Sequence, residues 1–427
     1  MNASEVIRTG RDMPYPYREE SNFWYLTGFS EPEAILVLVA PENEKPRSIL
    51  FCTETLDFET AAFNGEACGT QGAKDTYGFD EAYPIEKADE MILDLFAKSD
   101  VLYYLVGQKS DWDERIIALV AKTKKIAYRR SKPPISVISD LDTVLSEMRL
   151  IKKTEELSLM IKACRFTGGG VIKAMQSCQP GMMEYQLEAK ISEWFRFHGC
   201  CQMSAFPPIV AGGENATTLH YIENNCPLKD GDLVLTDVGG EFDHYAGDIS
   251  RTFPVNGKFS PAQKALYEIV LEAQKEAIKQ CVAGSSFRDP HKAAVRIITE
   301  GLVRLGILHG DVDELIALGL NNDNPPQISY RRFFVHRTSH WLGLDPHDVG
   351  NYWESDDVPR ILKPGMVLTV EPGIYIKPAD DVPKEYWNIG IRIEDDVLIE
   401  KFGPPFVLTP DAPKEIDDIE TVMSFSR

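Results

Sequence analysis

Long hydrophobic runs are missing from this 427-residue chain. No apolar stretch approaches the roughly 20 residues that a membrane-spanning helix needs, so no membrane association is expected. The first residues, MNASEVIRTGRDMPYPYR, lack the apolar core of a secretory signal peptide. Together these absences predict a cytoplasmic protein.

Positive charge is scarce compared with negative charge. The chain has 45 Lys and Arg residues against 66 Asp and Glu residues, a formal net charge of −21. Nucleic-acid binding depends on clustered Lys and Arg side chains. The charge balance therefore argues against a nucleic-acid partner.

Cysteine pairs with a recognisable spacing are absent as well. The eight cysteines form no Cys-x-x-Cys pair, and the adjacent Cys200 and Cys201 are poorly placed to join distant segments. In a chain without a secretion signal, such residues are expected to be reduced thiols, most of them buried as small apolar side chains.

The length exceeds what one hydrophobic core usually organises, so two domains are expected. In residues 1–142, apolar runs predict strands within 23–40, 49–52, 101–107 and 125–130, and a helix over 110–125. This alternation predicts an α/β domain. Pro133 and Pro134 break any regular element and mark the boundary to a second domain, residues 143–427.

The second domain begins with strong helix patterns. Caps and periodicity predict helices over 153–176, 184–198, 260–280 and 290–305. The segments CQPGMMEYQLEAKISEWFRFHG and CVAGSSFRDPHKAAVRIITEGLVRLG share one plan, in which a turn of small residues leads into a helix that ends at Gly. This echo suggests two halves related by pseudo-symmetry.

Acidic residues interrupt the predicted strands of this domain. Asp237 and Asp248 lie in LTDVGGEFDHYAGDISRTF, Glu371 ends the strand of GMVLTVEPGIYI, and Glu394 lies inside IGIRIEDDVLI. Carboxylates are disfavoured inside strands and costly to bury unless a positive charge compensates them.

Histidines cluster in the same half of the chain. VHRTSHWLGLDPHDVG carries three of the chain's eight histidines, His336, His340 and His347. Four acids and one imidazole suit Mn²⁺, Co²⁺, Zn²⁺ or Fe²⁺. Five protein ligands suit two ions roughly 3.5–4 Å apart, which hold a hydroxide between them and promote hydrolysis. Taken singly, each residue also has an ordinary structural interpretation as a turn, cap or surface residue.

These segments together resemble the metallopeptidases of the pita-bread fold, the family of aminopeptidase P, prolidase and methionine aminopeptidase. The metal-binding blocks LTDVGGEFDHYAGDISRTFPVNGKFSPAQ, SHWLGLDPHDVG, LKPGMVLTVEPGIYI and IGIRIEDDVLI follow in the family's order. YPYREESNFWYLTGFSEPEAILVL, SEMRLIKKTEEL and LHYIENN are similar to bacterial-type aminopeptidase P. The resemblance implies an N-terminal α/β domain followed by a pita-bread catalytic domain with pseudo-two-fold helix and strand halves.

The resemblance also implies a set of metal ligands. These are Asp237, Asp248, His340, Glu371 and Glu394. Asp248 and Glu394 would bridge two divalent ions, most often Mn²⁺ in this family, with Co²⁺ or Zn²⁺ as substitutes. The implied catalytic residues, besides Glu371 as general base, are His220, His347, His336 and Arg392.

The implied activity is hydrolysis of the bond between an N-terminal residue and a following proline, by attack of a metal-bridging hydroxide. The substrates would be peptides with proline at position two, and relatives assemble as dimers or tetramers. Two alternatives stay open: a prolidase that splits Xaa-Pro dipeptides, and a metal-free binding module on the same fold. The family also has a longer segment before RDMPYPYR, so SEVI either replaces its first strand or that strand is missing.

Overall fold

The computed structural model describes residues 17–54, 61–63, 65–127, 135–199, 204–320 and 328–424. Contacts divide the chain into two compact units, Met1–Ser146 and Glu147–Arg427. The predicted boundary at Pro133 and Pro134 and the predicted SEVI strand lie outside the described residues. The domain limits 1–142 and 143–427 stay a prediction.

The first unit alternates strands and helices, as expected for an α/β domain. Antiparallel β1 and β2 are extended by β3, which is parallel to β2, and β4 pairs with β5 in parallel. The strands are β1 (Ile35–Val39), β2 (Arg47–Cys52), β3 (Glu81–Pro84), β4 (Val101–Tyr104) and β5 (Val137–Asp140). The helices are α1 (Ser21–Thr27), α2 (Gly69–Tyr77), α3 (Ala88–Phe96), α4 (Ser110–Ala127) and the start of α5 (Asp142–Leu150), whose residues from Glu147 onward belong to the second unit.

Two strand predictions in this unit are wrong. The aromatic run at the start of 23–40 is helix α1, because the Glu20 carboxylate caps it by accepting the backbone N–H groups of Asn22 and Phe23. Gly28 ends it in the left-handed conformation, at φ 62°. The start of 125–130 continues helix α4 to Ala127, and 128–130 lie outside the described residues.

The second unit contains the four predicted helices to within one residue at each end. They are α6 (Thr154–Ser177), α7 (Glu184–His198), α8 (Pro261–Lys279) and α9 (Asp289–Arg304), followed by α10 (Val312–Leu320) and α11 (Ile416–Ser424). Close packing of α6 on α7 depends on glycine, since a Cβ at Gly170 would lie 2.5 Å from the Phe195 ring. No helix in the described ranges is both long and apolar enough to cross a bilayer.

A pair of helices followed by antiparallel strands occurs twice in this unit, which agrees with the predicted pseudo-symmetric halves. After α6 and α7 comes a sheet of order β10-β7-β6, and after α8 and α9 come the sheet β13-β16-β17 and the pair β14-β15. The strands of the first half are β6 (Ile209–Gly212), β7 (Leu233–Val238), β8 (Glu241–Phe242), β9 (Tyr245–Ala246) and β10 (Ile249–Pro254). Those of the second half are β11 (Trp353–Ser355), β12 (Val358–Pro359), β13 (Val367–Val370), β14 (Gly373–Ile376), β15 (Ile389–Arg392), β16 (Asp395–Leu398) and β17 (Phe406–Val407).

The central strands are buried along their whole length. Every residue of β10, β13, β15 and β16 is buried, and one extended hydrophobic cluster surrounds them. Burying one large aliphatic or aromatic side chain contributes about 1.5–3 kcal/mol. Charged groups beside these strands are therefore exceptional and need specific partners.

None of the described cysteines forms a disulfide, in agreement with the sequence, and Cys200 and Cys201 lie outside these ranges.

A buried ion cluster anchors the loop that follows β-bridge residue Trp341. The Asp348 carboxylate, 1% exposed, lies 2.5 Å from Arg149 Nη2 and 3.0 Å from Lys152 Nζ. Arg149 also contacts Asp345, at 2.8 Å. One carboxylate therefore compensates two cations in the interior.

Replacing Asp348 with Ala should destabilise the protein by about 3–5 kcal/mol, because it leaves Lys152 and Arg149 buried with too little negative charge. Scanning calorimetry measures the loss as a lower melting temperature. Asp381→Ala is the matched control: it breaks the Arg332 ion pair at a carboxylate that is 62% exposed, and should change the melting temperature little. Equal melting temperatures for the two variants would contradict the assignment.

Candidate metal centre

Asp237 and Asp248 come together through an antiparallel hairpin. Strand β7 carries Asp237 and pairs with β10, so that Ser250 lies opposite Asp237. Asp248 comes directly before β10. Between them, β8 and β9 form a smaller hairpin whose turn residues Asp243 and His244 have positive φ, 49° and 68°. The chain thus folds back and brings both acids to one end of the β7–β10 pair.

Glu371 and Glu394 lie where strands of the second half end. Glu371 follows β13, and its N–H donates to the Thr338 carbonyl at 2.8 Å. IGIRIEDDVLI, predicted as one strand, is two: β15 pairs with β14 and β16 pairs with β13. Glu394 stands at the break, where its N–H donates to the Ser250 carbonyl at 3.0 Å. That bond ties it to the strand after Asp248.

The His340 ring is oriented by its own backbone surroundings. Nδ1–H donates to the Trp341 carbonyl at 2.9 Å, which leaves the Nε2 lone pair free to act as a ligand. Nε2 lies 3.6 Å from Asp248 Oδ2 and 3.6 Å from Glu371 Oε1. Burial and the charge of His347 lower the pKa of His340 to about 4, so the ring is neutral at pH 7.

The ligand atoms converge on one point. Those of Asp248, His340 and Glu394 all lie within 4.8 Å of one another. Asp237 lies close enough for its charge to raise the pKa of Asp248 and of Glu394, and its Oδ2 accepts a hydrogen bond from Arg392 Nη2 at 2.7 Å. Asp237 Oδ1 is buried, and no hydrogen-bond partner for it occurs among the described residues.

Negative charge is concentrated here at a high electrostatic cost. Burial, and then the charges of Glu394 and Asp237, raise the pKa of Asp248 well above its usual value. Burial and the charges of Glu371 and Asp237 do the same for Glu394. Burial raises the pKa of Glu371 to about 8, with Arg392 opposing the rise and Asp237 adding to it.

Hard divalent cations fit this donor set. Carboxylate oxygens and one imidazole nitrogen are the ligands such cations prefer. The 3.6 Å separations are too long for hydrogen bonds and suit two ligands that each lie about 2.0–2.2 Å from one ion. Asp237 Oδ1, which is buried without a hydrogen-bond partner among the described residues, could supply a further ligand atom.

A chain of hydrogen bonds connects Asp237 with His336. Arg392 reaches Asp237 through Nη2, and its Nη1 donates to the Tyr375 hydroxyl at 2.9 Å. His336 Nδ1–H donates to the Arg337 carbonyl, so its Nε2 accepts the Tyr375 O–H at 2.8 Å. Burial and the charge of Arg392 lower the pKa of His336 to about 3. Neutral His336 and the Arg392 cation therefore form one fixed wall.

His347 and His220 are the exposed members of the predicted set. The His347 ring stands 4.2 Å from the His340 ring, centroid to centroid. The His347 ring is only partly accessible, and its partial burial together with the charge of His220 lowers its pKa. The His220 loop is held by buried Glu184, whose carboxylate accepts the Tyr221 hydroxyl and the Cys226 N–H, each at 2.8 Å.

Two contributing residues escaped the sequence interpretation. Ser250 Oγ accepts Arg392 Nε–H at 2.7 Å. Asp396 Oδ2 accepts the Asp248 N–H at 2.9 Å and lies 3.2 Å from Cys164 Sγ. The signal for Asp396 was available, because it belongs to three consecutive acids inside an otherwise apolar run.

A carboxylate and histidine centre on this fold defines the class, a metallopeptidase. Residues 158–401 match the profile of Metallopeptidase family M24, and residues 1–103 match the Aminopeptidase P, N-terminal domain. The chain belongs to metallopeptidase family M24 and is a metallo-aminopeptidase.

Its similarity to Xaa-Pro aminopeptidases covers the whole chain. The Xaa-Pro aminopeptidase of Escherichia coli (strain K12) is 43% identical over 425 residues, 100% of this chain and 93% of the relative. The structure of Pseudomonas aeruginosa aminopeptidase PepP superposes with a TM-score of 0.93 at 43% identity, covering 100% of this chain and 93% of that one. The zinc-substituted E. coli aminopeptidase P in complex with product gives a TM-score of 0.93 at 41% identity, covering 100% and 94%. The predicted fold class and enzyme class are thereby confirmed.

Stability of the metal-free protein should fall as pH rises. The folded-state pKa of Glu371, about 8, is above its ordinary value of 4.5, so the folded protein binds the proton more tightly than the unfolded chain. Its contribution is complete below pH 4.5 and is lost as pH rises through 8. Melting temperatures of chelated protein from pH 6 to 9 measure this, and Glu371→Gln should have a flatter profile.

Added Mn²⁺ should reverse the trend, because ligands must lose protons before they bind a cation. The rise in melting temperature on metal addition should therefore be larger at pH 8.5 than at pH 6. A rise that is the same at both pH values, or identical profiles for the wild type and Glu371→Gln, would contradict the electrostatic account.

Proposed function

We propose that this metallo-aminopeptidase releases the N-terminal residue of peptides whose second residue is proline. The observation that carries the proposal is the convergence of Asp248, His340 and Glu394 within 4.8 Å, with Asp237 and Glu371 beside them. Full-length similarity to Xaa-Pro aminopeptidases supports the specificity. The same relatives do not favour the prolidase alternative, and membership of a metallopeptidase family sets aside a metal-free binding module.

The cofactor of the proposal is a pair of divalent ions, with Mn²⁺ as the expected resident metal and Co²⁺ or Zn²⁺ as substitutes. Asp237 would hold one ion, His340 and Glu371 the other, and Asp248 and Glu394 both. Two bound ions supply Lewis acidity and water of lowered pKa for amide hydrolysis. A zinc-substituted relative is compatible with this range of metals.

Glu371 is the proposed general base. Its carboxylate is 16% exposed and lies beside His340, within reach of a water that attacks there. Proton acceptance by Glu371, and return of the proton to the leaving proline nitrogen, needs no further acid. The hydrogen bond from its backbone N–H to Thr338 fixes its position.

The histidines and Arg392 take the remaining roles in the proposal. His347, which is exposed and has a lowered pKa, is a neutral donor for the developing oxyanion. His220, on the neighbouring loop, contacts the substrate near the scissile bond. His336 and Tyr375 form the wall that Arg392 fixes, and Arg392 also orients Asp237.

A peptide assay tests the activity. With Mn²⁺ present, the enzyme should release the first residue of Ala-Pro-Ala and of a pentapeptide with proline second, and leave Ala-Ala-Ala nearly intact, as mass spectrometry would detect. An Xaa-Pro dipeptide should be the poorer substrate. Absence of the first amino acid from the products, with metal bound, would refute the proposal. Cleavage of the dipeptide alone would show that the enzyme is a prolidase.

Two ligand variants should fail in different ways. Glu371→Gln should keep the fold and at least one ion yet lose kcat by about 10²–10⁴-fold, because the proton acceptor is gone. Asp248→Ala should lose metal as well as activity, because cations that shared this carboxylate would repel each other. Elemental analysis and steady-state kinetics distinguish the two cases. A near-normal rate in Glu371→Gln would remove that residue from the mechanism.

The cytoplasmic location and the assembly into dimers or tetramers stay predictions drawn from the sequence and its resemblance. Gel filtration with light scattering measures the assembly directly.

A further inference from the structure

A cleft rich in arginine adjoins the candidate metal centre. Arg288, Arg331 and Arg337 line it together with His291 and His336. The remaining lining is apolar and aromatic, and the cleft has a cavity volume of about 80 Å³. We call this feature the arginine cleft. Its members come from the start of α9, the end of α10 and the segment before His340, so the fold assembles it from separate parts of the chain.

Positive charge dominates the arginine cleft. Three guanidinium groups line it, and no Asp or Glu belongs to its described lining. Burial, and then the charges of Arg337, Arg288 and Arg331, lower the pKa of His291 to about 3. His291 is therefore neutral, and its Nδ1 lies 2.9 Å from Thr338 Oγ1. In a chain with net charge −21, this is a local reversal of sign.

Two of the guanidinium groups have hydrogen-bonding capacity to spare. The Arg288 guanidinium packs over the Trp353 ring, 5.6 Å from the ring centroid, and this contact restrains its orientation. Its buried Nε has no hydrogen-bond partner in the described part of the chain. Arg337 is exposed, and no ion pair involving it occurs within the described ranges. Guanidinium groups bind carboxylates through paired hydrogen bonds. The arginine cleft is thus equipped for a carboxylate.

The arginine cleft shares His336 with the wall of the candidate metal centre. Its lining residue His336 binds the Tyr375 hydroxyl, and His336 Nδ1 is 3.7 Å from Glu371 Oε2. In the proposed function, Glu371 returns a proton to the proline nitrogen. The part of the peptide that follows proline, which ends in the C-terminal carboxylate, therefore departs from this wall.

We propose that the arginine cleft binds a carboxylate on the C-terminal side of the scissile bond and so selects substrates that carry one there. This inference rests on the proposed Xaa-Pro aminopeptidase activity. The carboxylate has two possible sources, the free C-terminus of a short peptide or an acidic side chain of a longer one. Both present the same group to Arg288 and Arg337.

Paired substrates separate the two sources. One series, Ala-Pro-Ala to Ala-Pro-Ala-Ala-Ala, is assayed with a free C-terminus and as the C-terminal amide. The second series consists of amidated pentapeptides with Glu or Gln at positions three, four or five. In at least one pair, kcat/KM for the carboxylate member should be about tenfold higher, which corresponds to one charge-assisted bidentate contact. The advantage should shrink as salt rises.

Variants assign the effect to the arginine cleft. Arg337→Gln and Arg288→Gln should each bring the carboxylate preference close to one. Arg332→Gln is the matched control, because Arg332 neighbours Arg331 in sequence but pairs with Asp381 at 2.6 Å and is not part of the lining. It should keep the wild-type preference. Melting temperatures verify that each variant is folded, and the exposed Arg337 remains informative if Arg288→Gln does not fold.

The outcomes are distinguishable. No preference above twofold in any pair, or a preference that survives both Arg337→Gln and Arg288→Gln, overturns the inference while the peptidase stands. The amides retain an Xaa-Pro bond, so failure to cleave any peptide in either series refutes the proposed function itself. A preference confined to free C-termini identifies the terminal carboxylate, and one confined to Glu identifies the acidic side chain.

Discussion

Mutual repulsion among buried carboxylates is the constraint around which the catalytic half is built. Asp248 and Glu394 are almost fully buried, and burial together with their neighbours raises the pKa of each. Such a group can keep its proton or share a cation. Protons satisfy the site at low pH, and cations satisfy it where the carboxylates ionise. Metal binding and folding are therefore linked through the same few oxygens.

Irregular points in the sheets make this concentration of charge possible. Asp248 precedes β10, Glu371 lies between β13 and β14, and Glu394 lies between β15 and β16. Within a strand, side chains alternate between the two faces. Where a strand ends or changes its pairing partner, this alternation no longer fixes the direction of the side chains. Acids from separate strands can then face one point, while the strands themselves stay apolar and buried.

Much of the fold and of the candidate metal centre could be predicted from the sequence, and the exceptions have physical causes. Periodicity and caps located the four helices between Thr154 and Arg304, because those signals are local, whereas α10 and α11 were not predicted. The aromatic run after Glu20 was predicted as a strand, because such a run fits the hydrophobic period of a strand as well as that of a helix. It is a helix because the Glu20 cap outweighs the β-propensity of the aromatic residues. The break before Glu394 depends on which partners β15 and β16 find, and that is tertiary information. The arginine cleft has no sequence signature, because Arg288 lies far along the chain from Arg331 and Arg337.

The guanidinium groups of the arginine cleft match one end of a short peptide. In the proposed function a substrate carries an ammonium at one end and a carboxylate at the other, and hydrolysis near Glu371 would put the carboxylate end toward His336. The overall charge of −21 would repel an anionic end from a distance, yet charges more than about 8 Å apart are largely screened at physiological salt. At shorter range an anionic end inside the arginine cleft would meet guanidinium groups and no acidic residue of its described lining. Orientation of the peptide would then be decided locally, by which of its ends meets the guanidinium groups.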